Sequence, residues 1–393
     1  MSTQLLRRAA NACLVLMACS IPLSTSGMQI AAAGLGLLAL LTVVRGIGVV
    51  RSTPLDSVLA LTAIVFAVST IASGHPREAV GWGHLWVVVT YFGVYWWLED
   101  DAAALRFVRW LLIAATVAAL YGVIQHYTGI DWYRDLLGRR RFVRPRIAGA
   151  QGFAVVGFFR NYLTYAHVLL VPLGFAIASP RVWVRWVGVP AMTIALVFST
   201  ARGAWLATLA MVVAYACAIR GGTRRVAGIV AIAVFACLVS PGFREQVQPA
   251  LTLAGANGGR LAIYAANLDI VADHPMFGLG FGRYQRAARP YYDRHPDADR
   301  RSHAHNNFLQ IAAEAGLPGL AAFALVFVTA LRFGLEAIRR HPDPTMRMTA
   351  LGGCLALVGF LVGGLTQYSF GDTEVAMSMW ATIAVLMRLR DAG

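Results

Sequence analysis

Apolar runs recur along this chain from end to end, each approaching the roughly 20 residues that a helix needs to cross a bilayer. A water-soluble fold with this many such runs could not cover its own surface. Only 13% of the 393 residues are charged, against 58% hydrophobic, where soluble domains carry about 25% charged residues. The expectation is an all-α polytopic membrane protein, a single integral membrane domain over 1–393. Hydropathy predicts about twelve transmembrane helices. They lie near 9–26, 28–47, 55–73, 80–98, 104–127, 153–178, 182–199, 202–219, 226–241, 316–333, 348–367 and 373–388. Arg7 and Arg8 resemble the start of a signal peptide, but further spans follow at once, so an uncleaved first span is expected.

Two connections are long, 128–152 and 242–305, and the others are short. Within the second, "GGRLAIYAANLDIVADHPMFGLGFGRYQ" has helical spacing at Leu261, Tyr264, Leu268 and Val271, which predicts a partly helical extramembrane subdomain. With the N-terminus inside, the short inner loops hold Arg7/Arg8, Arg45/Arg51, Arg106/Arg109, Arg181/Arg185, Arg220/Arg224/Arg225 and Arg332/Arg339/Arg340/Arg347. The short outer loops hold little beyond Arg77 and Arg202. The positive-inside rule therefore turns both long loops outward, to the periplasm of a Gram-negative cell.

Net charge is +15. The loop 128–152 carries Arg139, Arg140, Arg141, Arg144 and Arg146. Guanidinium forks bind phosphate and carboxylate in bidentate geometry. Outward clusters therefore point to an anionic partner at the outer membrane face, where nucleic acid is not expected. Solvated loops in an arginine-favouring composition are the bland alternative. The five cysteines all fall inside predicted spans, without zinc-type spacing, and are expected to be free thiols. "GLGFG" at Gly278–Gly282 has no βαβ context and reads as a tight turn rather than a dinucleotide fingerprint. His303 and His305 stand two apart, too little for a zinc signature, and no metal or other cofactor is expected.

The stretch "RSHAHNNFLQIAAEAGLPGL" interrupts the apolar pattern. Asn306 or Asn307 is a plausible N-cap for a helix through Phe308, Ile311 and Ala315. Gly316-Leu-Pro-Gly319 would then kink or restart it. His303 and His305 fall at that helix N-terminus, where anions are favoured and an imidazole can exchange a proton near neutral pH. Two interfacial histidines making ordinary hydrogen bonds is the competing reading. Arg202, in "FSTARGAW", and Arg260, in "NGGRLAIY", weigh against it, since a guanidinium at membrane depth is costly and usually functional. Two arginines and a histidine suit a lipid-linked diphosphate leaving group and an attacking hydroxyl.

"STARGAW", then "GRLAIYAANLDIVADHPMFGLGFGRYQ", then "HAHNNFLQIAAEAGLPG" together resemble the O-antigen ligase/polymerase superfamily, in order and in spacing, most like the lipopolysaccharide O-antigen ligases. Ala201 stands where Ser or Gly is common there, and Tyr264 where Trp is frequent. The resemblance implies a GT-C-like glycosyltransferase that needs neither metal nor ATP. Its donor would be O-antigen on undecaprenyl diphosphate, and its acceptor lipid A–core oligosaccharide. Carried over residue by residue, it gives His305 as the catalytic histidine and Arg202 and Arg260 as the diphosphate-binding arginines. His303, Asn306 and the arginines of 128–152 are expected to bind substrate. O-antigen polymerase and protein O-oligosaccharyltransferase are the sibling readings, and a lipid-linked glycan transporter a more distant one. Inner-membrane lipids are the expected surroundings, with the active site facing the periplasm.

Overall fold

The computed structural model describes residues 3–78, 85–140, 142–145, 152–219, 221–239, 258–298 and 303–392. Helices dominate it. They are α1 (Thr3–Ser20), α2 (Thr25–Val44), α3 (Asp56–Ala72), α4 (Val89–Trp97), α5 (Asp101–Thr128), α6 (Trp132–Leu136), α7 (Tyr162–Ala178), α8 (Val189–Ser199), α9 (Arg202–Ala218), α10 (Thr223–Val239), α11 (Gly258–Asp273), α12 (Tyr284–Ala287), α13 (Arg289–Asp293), α14 (Asn307–Arg340), α15 (Pro344–Gly363) and α16 (Thr373–Ala392). One two-residue antiparallel ladder pairs β1 (Arg144–Pro145) with β2 (Phe153–Ala154).

Each of the twelve apolar runs carries a helix, but the helices are unequal. Among the described residues four are long and apolar enough to cross a membrane: α2, α5, α14 and α15. Others, α3, α7 and α9 among them, are apolar but only 10–17 residues long. The expected run 153–178 is shortened because its first residues pair as β2 and turn before Asn161 caps α7. A π-turn, Val184–Gly188, takes up the start of the run 182–199. The first part of the run 80–98 and of the loop 242–305 lies outside the described residues.

α7 is buried from Thr164 to Ala178 on every face, and α16 is buried almost throughout. A helix that is apolar all round belongs inside. α5, α8, α9, α15 and α16 surround α7. Ile64, Ile71, Leu238 and Val328 are exposed on the outside of the bundle, as a lipid-facing surface requires. The protein is a helical membrane protein.

Polar contacts gather at two opposite ends. At one, Arg7 pairs with Glu99 (3.1 Å) and Arg388 Nε donates to the Leu98 carbonyl (2.6 Å). At the other, Thr25 donates to Glu374 (2.7 Å), Thr164 to Asp372 (3.2 Å) and Ser69 to the carbonyls of Phe277 (2.7 Å) and Glu314 (3.0 Å). The second end carries the segments 258–298 and 303–306, with an apolar cluster of their own that includes Ile263, Ala266, Ile270, Tyr284 and Tyr292. The stripe of α11 that carries Leu261 and Leu268 lies outside that cluster: the two are 63% and 58% exposed. Both stripes of α11 have helical spacing. The buried one is the stripe that meets the tyrosines of α12 and α13, whose hydroxyls close on Asn267 (Tyr284 Oη to Asn267 Oδ1 2.8 Å, Tyr284 to Tyr292 2.7 Å).

α14 starts and breaks where the sequence predicts. Asn306 Oδ1 accepts from the N–H groups of Phe308 (2.8 Å) and Leu309 (3.1 Å). At Gly316 the backbone turns to φ 68, ψ −173 and the helix restarts. A Cβ there would lie 2.5 Å from the Met276 carbonyl carbon. Gly316→Ala is therefore expected to cost about 1–3 kcal/mol from the backbone conformation alone, read as a lower melting temperature and faster proteolysis of 258–298. Gly228→Ala, with open space around its site in α10, should be neutral or slightly stabilising.

Candidate functional site

The strap before α14 holds its histidines tightly. His305 has φ +50, a left-handed conformation that only a few non-glycine residues adopt. Its N–H donates to His303 Nδ1 (3.2 Å), and the two rings meet edge-on at 4.3 Å. Ala304 N–H donates to Gln310 Oε1 (2.7 Å), and Gln310 Nε2 donates to Glu314 (3.1 Å). Glu314 is 5% exposed, and the N–H groups of Gly282 and Tyr284 also reach it. Within α14, then, a buried carboxylate fixes a glutamine and the glutamine fixes the backbone between the histidines.

His305 Nδ1 lies 3.0 Å from Gln367 Oε1. An amide oxygen only accepts, so Nδ1 carries the proton and Nε2 is the acceptor nitrogen. Gln367, 5% exposed, belongs to the loop 364–372 between α15 and α16. The same loop accepts Asn307 N–H at the Gly364 carbonyl (2.7 Å) and Asn306 Nδ2 at the Leu365 carbonyl (3.1 Å).

Both arginines reach this loop through their neighbours. Tyr264 Oη lies 2.9 Å from the Leu365 carbonyl and 3.3 Å from that of His305. Half-buried Arg260 sits one helical turn before Tyr264. Burial pushes the Tyr264 phenol up, and the nearby Arg260 charge pulls it back down. Arg202 is exposed at the first turn of α9. Its neighbour Gly203 packs so closely on Thr366 that a Cβ would lie 1.8 Å from the threonine hydroxyl. Thr200, two residues before Arg202, has φ +63. Among the described residues Thr200 and His305 are the two non-glycine residues with positive φ. Strain of this kind collects at functional sites, and here it marks the two ends of one cluster. His305 itself, and the neighbours of Arg202 and Arg260, thus meet the loop 364–372. Among the described residues neither arginine makes an ion pair.

The glycine-rich segment clamps the cluster from outside. Leu279 N–H donates to the Ala313 carbonyl (2.8 Å) and Leu317 N–H to the Pro275 carbonyl (2.7 Å). Gly278, at φ +61, would place a Cβ 2.5 Å from the carbonyl carbon of Glu314. "HPMFGLGFG" is thus a turn that fits against "EAG".

Residues 187–324 match the family described as O-antigen ligase. This match supports the O-antigen ligase superfamily for the segment it covers. Among curated proteins no sequence matches the chain. The matched segment contains Arg202, Arg260, His303, His305, Asn306 and the glycine clamp, but neither the loop 364–372 nor the loop 128–152. Gln367, Thr366 and Tyr368 were not anticipated as site residues. The signal for them was the polar break "TQYSFGD" between the last two apolar runs. Burial, then the charge of Glu374, push the Asp372 carboxyl at the end of this loop up to about 7.

The expected substrate-binding arginines of 128–152 stand apart from the histidines. Arg139 and Arg140 are exposed beside a cavity at the same end of the bundle. Arg141 and Arg146 lie outside the described residues, as does the side chain of Arg144. A second, apolar cavity of about 590 Å³ lies between α3, α4, α14 and α16, lined by Phe66, Phe92, Phe323, Phe327, Phe370 and Trp380. Among the described residues no three His, Cys, Asp or Glu side chains gather as metal ligands would.

Proposed function

We propose that this protein is an O-antigen ligase, moving a glycan from undecaprenyl diphosphate to a hydroxyl of lipid A–core oligosaccharide. The observation that carries the reading is that His305 and the residues next to Arg202 and Arg260 in their helices all meet the loop 364–372. His305 Nε2 takes the proton of the acceptor hydroxyl as its oxygen attacks the anomeric carbon. The bond from that carbon to the diphosphate breaks, and Arg202 and Arg260 stabilise the charge that develops on the leaving oxygen. Two guanidiniums and a base supply what this displacement needs, so no metal or nucleotide enters the scheme. His303 and Asn306 set the backbone under His305. Phe370 belongs both to the catalytic loop and to the lining of the apolar cavity, which suits a donor with a long hydrocarbon tail.

The twelve apolar helices then form a GT-C-like arrangement in the bacterial inner membrane, with this end facing the periplasm. Reporters fused after Arg289 should read periplasmic, and after Arg225 or Arg340 cytoplasmic. The opposite pattern would put the site in the cytoplasm and end the reading. In a deletion strain, lipopolysaccharide gels should lose the whole O-antigen ladder with core intact. A single repeat left on core would instead identify a polymerase.

A further inference from the structure

The basic loop builds a cavity of its own. It measures about 600 Å³, within the roughly 300–1,000 Å³ of small-ligand sites. Its walls are the turn between α1 and α2, the segment after α6, the start of α7 and Glu374. Arg139, Arg140 and Arg160 line it together with the rings of Tyr133, Phe142 and Phe158.

The charges do not balance. Between Thr128 and Asn161 the sequence has seven arginines and two aspartates. One of these, Asp131, is committed to Arg134: the pair is 2.7 Å apart, with side chains 0% and 5% exposed. Arg134 also donates to the Phe158 carbonyl (3.2 Å) and lies over the ring of Phe142 (5.0 Å). It is the fastener that holds both sides of the cavity. Glu374 accepts from Thr25. Among the described residues no ion pair engages Arg139, Arg140 or Arg160. Two helix N-termini, of α2 and α7, open onto the same space through Ser24–Ser26 and Asn161, and their dipoles add positive potential. Three like charges around one cavity repel unless an anion joins them.

Arginine forks match phosphate, and the aromatic rings offer flat faces for the C–H sides of pyranose rings. A route to the reaction centre also exists. Thr164, in the wall of the cavity, donates to Asp372 at the end of the loop whose Gln367 holds His305. We infer that this cavity binds phosphate-bearing sugars of the acceptor, separately from the diphosphate of the donor. The inference rests on the proposed transfer reaction for the word acceptor; binding itself does not depend on it.

The test uses the full-length protein in lipid nanodiscs and titrates three probes. They are fully deacylated, phosphorylated core oligosaccharide, the same oligosaccharide dephosphorylated, and inorganic phosphate. The phosphorylated oligosaccharide should bind at least tenfold more tightly than either of the others. Arg139→Gln with Arg160→Gln should remove that advantage, and Arg139→Lys with Arg160→Lys should restore part of it. Both positions are exposed, so the variants should melt like the parent. Tyr133→Ala should weaken oligosaccharide binding and leave phosphate binding alone. Equal binding of the dephosphorylated oligosaccharide, or parental affinity in the double Gln variant, overturns the inference. Phosphate binding as tight as the oligosaccharide removes its sugar part. Should the binding pattern hold while His305→Ala transfers glycan at the parental rate, the transfer reading falls and this one stands.

Discussion

His305→Ala is expected to lower glycan transfer from undecaprenyl diphosphate by roughly 10²-fold or more, the range for removal of a general base. The protein should still insert and fold, because the side chain is only partly buried and its ring bonds to a loop outside the helix core. His303→Ala should be milder. Its ring accepts the His305 N–H, so its loss costs about one hydrogen bond, roughly 1 kcal/mol, and loosens the strap without removing the base. Gln367 offers the sharper control. Gln367→Ala frees the ring to take the wrong tautomer, while Gln367→Glu keeps an acceptor and adds a negative charge next to Nδ1. A neighbouring carboxylate raises an imidazole pKa. The acid limb of the kcat/KM profile should therefore move to higher pH in Gln367→Glu and not in Gln367→Ala. The assay uses purified variants with lipid A–core as acceptor, in chelator and without nucleotide. A fully active His305→Ala, or activity lost to chelator, would overturn the assignment.

What the sequence made legible follows from how each feature is encoded. The helical membrane class, the N-cap at Asn306 and the break at Gly316 are local: they rest on composition, one capping side chain and one glycine. The number of helices that cross was less legible. Hydropathy windows register apolar character, not the β2 ladder and the π-turn that shorten two of the runs. The buried face of α11 was not legible because two apolar stripes compete, and Tyr284 and Tyr292, in later elements, decide between them. The site divides the same way. His305, Arg202 and Arg260 carry chemistry visible in their residue types. Gln367 does not, since a glutamine at the end of an apolar run becomes informative only once folding brings it across 62 residues to a histidine ring.

Arg202→Ala and Arg260→Ala should fail in a different manner from the histidine variant. Each removes a guanidinium proposed to meet the diphosphate, and loss of one such electrostatic donor costs of order 10²–10³ in kcat. Neither arginine makes an ion pair among the described residues, so little folding stability should be lost with it. Lysine should rescue only in part at either position, because it keeps the charge but lacks the planar fork. In the proposed reaction the two positions approach one group from different helices, α9 and α11. The double variant should therefore lose less than the product of the single losses, as coupled residues do. A binding readout separates this role from general damage to the fold. The parent should hold undecaprenyl diphosphate more tightly than undecaprenyl monophosphate, and each Ala variant should hold the two more nearly alike, while His305→Ala keeps the parental preference. If both arginine variants discriminate between the two lipids as the parent does, the diphosphate is held elsewhere, and these arginines serve only the packing of the loop 364–372.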